Sequence, residues 1–193
     1  MKKSFLLSSI AIALFVSFGA SAQTTTTDSM SKPGMVGKAE TTSVTATIKN
    51  VNAKTREITL SVPGHPDFTT VAGDQVKNFS QLKAGDKVEV TYAEALVVEL
   101  HKGGGKPVAK SEKGGMVGAK AGERPGGAVG RQVTVVANVV ALDPATNHVT
   151  LKGPQRTIEV KVRDPEQFKM MAVGDQLEAT YVEAVALDVK PAK

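Results

Sequence analysis

The residues TYAEALVVEL at 91–100 return as TYVEAVALDV at 180–189, and they carry the chain's only two tyrosines, Tyr92 and Tyr181. The recurrence extends well beyond them. VTATIKNVNAKTREITL (44–60) lies over VVANVVALDPATNHVTL (135–151) at an offset of 91, and AGDKVEVTYAEALVVEL (84–100) lies over VGDQLEATYVEAVALDV (173–189) at 89. So small a drift marks an internal duplication, and that constrains the fold more than any composition: one design must fold twice.

Each copy reads as strands. Val88, Val90, Tyr92, Leu96, Val98 and Leu100 share one parity, and Glu89, Thr91 and Glu99 take the other. The second copy repeats the pattern with Leu177, Ala179, Tyr181, Val185, Leu187 and Val189, the period of a half-buried strand or strand pair. β-branched runs at 44–51 and 57–62, and at 133–142 and 148–152, are joined by NAKTR and DPATN, whose Asn, Asp and Pro supply turn geometry. A third strand is expected near 67–72 and near 156–162. Asn78 with Gln81, and Asp164 with Gln167, stand at capping-box spacing, and Pro165 suits a helix's first position. Gly85 and Gly174 then suit a left-handed stop. The expected fold is all-β: two tandem five-stranded OB-like barrels, at 43–101 and 132–190, each with a short helical turn between strands 3 and 4.

The pattern ALDPATNHVTLKG followed by VGDQLEATY resembles the small periplasmic OB-type β-barrel proteins, among them the copper chaperone of bacterial copper efflux and secreted proteins with one or two such barrels. The resemblance covers both copies and implies the barrel fold. In the chaperones it also implies copper held by a His, two Met spaced by one residue and a Trp. This chain has no Trp, and neither DFTTVA nor RTIEVKV contains a Met; His65 alone lies near the family's His. The resemblance thus supports the fold and argues against the metal site.

The ends and the spacer set the rest. Lys2 and Lys3, an apolar run from Phe5 to Phe18, and Ala20 and Ala22 before Gln23 form the three parts of a secretory signal peptide at 1–22. The run is shorter than the roughly 18–20 apolar residues that span a bilayer, so the chain is expected not to cross a membrane after cleavage. The destination is the periplasm, with the medium as second choice. Removing residues 1–22 leaves 171 residues and a charge of +3, because Lys2 and Lys3 depart. The absence of cysteine excludes disulfides and thiolate chemistry. Residues 102–131 hold ten Gly and seven Lys or Arg against two Glu, which reads as a flexible basic linker, and 23–42 likewise reads as disordered. The barrels are each near −1, so the basic pI belongs to the linker. Residues 191–193 form a tail.

Glu94 and Glu183 share the parity of the buried side chains. A strand running straight through would turn both carboxylates toward the core, at a cost unless they are hydrogen-bonded. A turn at Glu-Ala would instead reset the parity and expose them, and we expect the turn. Tyr92, Glu94, Tyr181 and Glu183 are the candidate ligand-binding residues, as Tyr–Glu pairs at a barrel mouth. His65, Met170 and Met171 are the candidate ligands only in a copper-handling alternative. His65, His101 and His148 share no spacing and read as surface residues.

No nucleophile elbow, phosphate loop or His–carboxylate spacing is present, so no catalytic residue and no cofactor is expected. Nucleic acid is set aside, because stacking would have to come from Phe68, Phe79, Phe168, Tyr92 and Tyr181, several of them core. The expected function is a non-enzymatic binding module of the cell envelope, with an envelope protein or an anionic polymer as partner and two independently melting barrels giving avidity.

Overall fold

The computed structural model describes residues 23–192 apart from Gln75 and Ala121; the segment 1–22, expected to be a signal peptide, and Lys193 of the expected tail lie outside the described residues. The first half contains β1 (Gln23–Lys32), β2 (Met35–Asn52), β3 (Glu57–Ser61), β4 (Phe68–Val71), a 3-10 turn (Phe79–Gln81) and β5 (Lys87–His101). The second half repeats the order with β6 (Lys110–Gly118), β7 (Gly126–Asp143), β8 (His148–Lys152), β9 (Thr157–Lys161), helix α1 (Pro165–Lys169) and β10 (Gln176–Lys190). The chain is all-β, as the alternation predicts.

Its assembly differs from two tethered barrels. The ten strands form one antiparallel sheet in the order β4-β3-β2-β5-β10-β7-β8-β9, with β1 added beside β2 and β6 beside β7. The sheet is not closed. The halves join along β5 and β10, which pair residue by residue from Lys87 opposite Lys190 to His101 opposite Gln176.

Three expectations are corrected here. The turn at Glu94-Ala95 and Glu183-Ala184 does not form: β5 and β10 run straight for 15 residues each, since no Gly, Pro or Asn interrupts either and each is paired throughout. The segment 23–42 is not disordered but makes β1 and the first part of β2. The linker 102–131 is not a free tether, because it contains β6 and the start of β7. The duplicated unit is therefore longer than the recurring text, and its fifth strand lies at the front.

The linker's glycines serve close approach as well as turns. A Cβ on Gly126 would stand 2.9 Å from the Leu187 carbonyl oxygen, and one on Gly130 would stand 3.4 Å from that of Glu183. Both lie where β7 runs against β10. A Gly126→Ala substitution forces backbone against backbone, and we expect it to cost about 1–3 kcal/mol. A thermal melt checks this, and an unchanged midpoint would show that β7 is free to move away.

Both cores grow on one face of the sheet, toward opposite ends of β5 and β10. Val44, Ala46, Ile48, Leu60 and Val88 lead the first, and Val189 of the other half completes it. Ala137, Val139, Val149, Leu151 and Leu177 form the second, with Val98 and Leu100 of the first half against it. Register shifts between Ile48 and Asn50 and between Val139 and Ala141 bend β2 and β7 at matching points.

Polar contacts clasp the halves reciprocally. The Asp86 carboxylate accepts from the Lys83 N–H (3.0 Å) and, across the halves, from the Ala192 N–H (3.2 Å). Asp175 does the same with the Ala172 N–H (2.8 Å) and the Gly103 N–H (2.9 Å). The capping-box reading is half right. Asp164 caps the Glu166 N–H at 2.9 Å with Pro165 in the first turn, whereas Asn78 makes no side-chain cap and sits at φ 57°. The Asn78 amide instead donates to the carbonyls of Lys120 (2.7 Å) and Glu123 (3.0 Å), holding the β6–β7 loop. Gln167, its counterpart, donates to the Lys32 carbonyl (2.8 Å) and accepts from the Gly34 N–H (3.1 Å), holding the β1–β2 turn. Each half grips a hairpin of the other.

Candidate functional site

Glu94 and Glu183 stand directly opposite each other at the midpoint of the β5–β10 pair. The same cross-strand row continues outward to Glu40 on β2 and Arg131 on β7. Because side chains alternate along a strand, this row lies on the core-bearing face, between the two cores. Two carboxylates directly opposite each other repel, and three neighbours answer that repulsion. The Tyr92 hydroxyl donates to Glu94 Oε2 (3.1 Å). The Tyr181 hydroxyl lies 3.1 Å from Glu183 Oε2 and 3.3 Å from Glu94 Oε2, so its one proton is within reach of either acid. Arg131 comes within 3.3 Å of Glu183 and 3.8 Å of Glu112.

The strand thus keeps its parity and the carboxylates are hydrogen-bonded, which satisfies the condition for bringing them off the solvent edge. Burial raises the Tyr181 pKa, and the neighbouring Tyr92 and Glu183 raise it further. Burial also raises Tyr92; the hydrogen bond from Tyr181 opposes this, while Glu94 adds to it. Both phenols remain proton donors at neutral pH. The arrangement is a fixed acceptor surface with one guanidinium at its side.

The structure brings all four candidate residues, Tyr92, Glu94, Tyr181 and Glu183, into one cluster rather than two barrel mouths. Sequence reasoning missed Arg131 and Glu40, which it placed in the linker and the disordered segment. The signal was available: the offset of 91 that relates 44 to 135 also relates Glu40 to Arg131. Around the cluster, on the same face, Val36, Leu96 and Val129 are 37–45% exposed.

The copper-handling candidates are not brought together. His65 lies in the turn after β3 of the first half, with its N–H bonded to the Val62 carbonyl (3.1 Å). Met170 and Met171 follow α1 in the second half, and Met171 packs on that half's core. Among the described residues, no group of three or more His, Cys, Asp or Glu could hold a metal ion.

Arg56 has an organising role that the sequence did not disclose. Its guanidinium donates to the carbonyls of Ala72 (2.8 Å), Gly73 (2.8 Å) and Val76 (3.0 Å) and lies 4.6 Å from the centre of the Phe79 ring. It fixes the loop from β4 to the 3-10 turn. Among the described residues, no helix is long and apolar enough to cross a membrane. Compared with protein-family models, with curated proteins and with solved structures, the chain matches none.

Proposed function

We propose that the protein is a non-enzymatic binding module, exported to the periplasm after removal of residues 1–22, that engages an envelope partner through the centre of its sheet. We read each half as OB-like from its order of three strands, a helical turn and a long strand. The observation that carries the binding role is the patch between the two cores, where half-buried Tyr92, Tyr181, Glu94 and Glu183, with exposed Arg131 beside them, are bordered by exposed Val36, Leu96 and Val129. An apolar patch with polar groups set into it marks interaction surfaces, and Tyr and Arg supply most binding energy at such places. Because the hydroxyls and carboxylates are already fixed by one another, little side-chain freedom remains to be lost on association.

A photo-reactive residue at Leu96 tests this in cells. It is expected to give a discrete adduct that disappears when Arg131→Glu is introduced, while the same group at Val71, on the outer strand β4, gives none. An identical adduct pattern from both positions would overturn the assignment of the patch.

A further inference from the structure

The two halves share a design but not a filling. In the first, Phe68 on β4 and Val90 on β5 pack against that half's buried cluster. Their counterparts are smaller. Leu60 pairs with Phe68 and Leu151 with Ile158, so Ile158 stands in the place of Phe68, and Ala179 stands in the place of Val90 at the offset of 89. The result is a cavity of about 470 Å3 in the second half, walled by Val98, Val135, Leu151, Ile158, Leu177 and Ala179. That volume falls within the range of small-molecule sites, roughly 300–1,000 Å3. Ile158 and Val160 on β9, which line it, are 40% and 39% exposed, so apolar surface at the wall is left without a protein neighbour.

The polar part of the lining has one sign. Among the described residues, Lys110 and Arg156 contribute the only charges, with Gln155 beside them, and no carboxylate lines the cavity. Lys110 lies 3.7 Å from Glu112, which is outside the lining; among the described residues, Arg156 has no carboxylate partner. The first half lacks both cations. Gln23 occupies the place of Lys110, since Gln23 pairs with Val44 as Lys110 pairs with Val135, and the loop between β3 and β4, VPGHPD, holds no Lys or Arg. Loss of core volume and gain of cations therefore coincide in the same half. An apolar bore with a cationic mouth is complementary to a molecule with a hydrocarbon tail and an anionic head.

We propose that the second half binds a single-chain anionic amphiphile, its tail among Ile158, Leu177 and Ala179 and its head between Lys110 and Arg156. This site is separate from the central patch, and neither needs the other.

Calorimetric titration of the purified protein with monomeric dodecanoate is the test, with dodecyltrimethylammonium as a control of equal tail length and opposite charge. Dodecanoate is expected to bind at one site per chain and to raise the melting temperature, with the cationic control about tenfold weaker or worse. Lys110→Gln with Arg156→Gln should weaken dodecanoate by about tenfold or more. Ile158→Phe with Ala179→Val, which restores the first half's filling, should abolish binding without lowering the melting temperature. Equal binding of both amphiphiles would overturn the proposal, because the mouth would then read no charge. Unchanged binding by the filled variant would place the ligand elsewhere. Binding to phosphatidylglycerol vesicles without binding to free dodecanoate would replace the proposal with a membrane-surface contact.

Discussion

An aspartate in place of Val88 is expected to unfold both halves in a single transition. Val88 is 1% exposed at the start of β5, in a cluster that also contains Val189 from the end of β10. An unpaired carboxylate buried there has no hydrogen-bond donor to meet it. Losses above about 4–5 kcal/mol come from defects of this kind, and they consume much of a domain's roughly 5–15 kcal/mol of stability. Reading the copies as tethered barrels, one would expect Val90→Asp or Leu177→Asp to melt its own barrel and spare the other. The shared sheet argues otherwise: β5 cannot leave without stripping β10 of a partner along its whole length. Hydrogen exchange decides the matter. Protection is expected to vanish from β8 amides in the second half along with those of β3, and a second half that keeps wild-type protection would disprove the coupling.

Asp175→Ala is expected to cost about 2–4 kcal/mol, since it leaves two backbone donors, the N–H groups of Gly103 and Ala172, without an acceptor. For a chain of this size that is a fall in melting temperature of roughly 5–15 °C. Lys102, 2.6 Å from the carboxylate, is well exposed and adds less. The effect depends on pH in a definite sense. Burial works against the Asp175 charge, but Lys102 and the N–H groups of Gly103 and Ala172 outweigh it and hold the carboxyl below the usual aspartate range. Protons therefore bind the unfolded chain more readily. The stabilisation is complete above the unfolded carboxyl pKa, about 3.9, and fades as pH falls through the lower folded value. Thermal melts of wild type and Asp175→Asn should differ most near neutrality and converge in acid. A constant gap down to pH 2 would show that the carboxylate charge contributes nothing.

What could be read from the chain, and what could not, follows from where side chains carry a signal. The alternation from Val88 to Leu100 announced a strand because one of its faces is buried, and the Asp164-Pro165 start announced a helix because its cap is local. β1 and β6 gave no such signal. Nearly every residue of QTTTTDSMSK and KSEKGGMVG is exposed, so no apolar period was needed, and they are ordered by pairing with β2 and β7 and by polar contacts rather than by a buried face. The union of the halves was also illegible, because β5 and β10 carry the same pattern and either would pair with many equals. Glu94 misled for a related reason: its parity was correct, but of the two hydroxyls that make it tolerable, that of Tyr181 comes from the other copy.

The axis between Glu94 and Glu183 has a consequence for what duplication permits. Two separate identical subunits meeting along this seam would be bound by symmetry to present equal residues on both flanks. A carboxylate at one flank would demand a carboxylate at the other, leaving four acids in a line. Fusion into a single polypeptide lifts that obligation, and the flanks have diverged: Glu40 stands on one side and Arg131 on the other. The joined molecule holds a lopsided electrostatic pattern at its centre that no self-paired half could adopt.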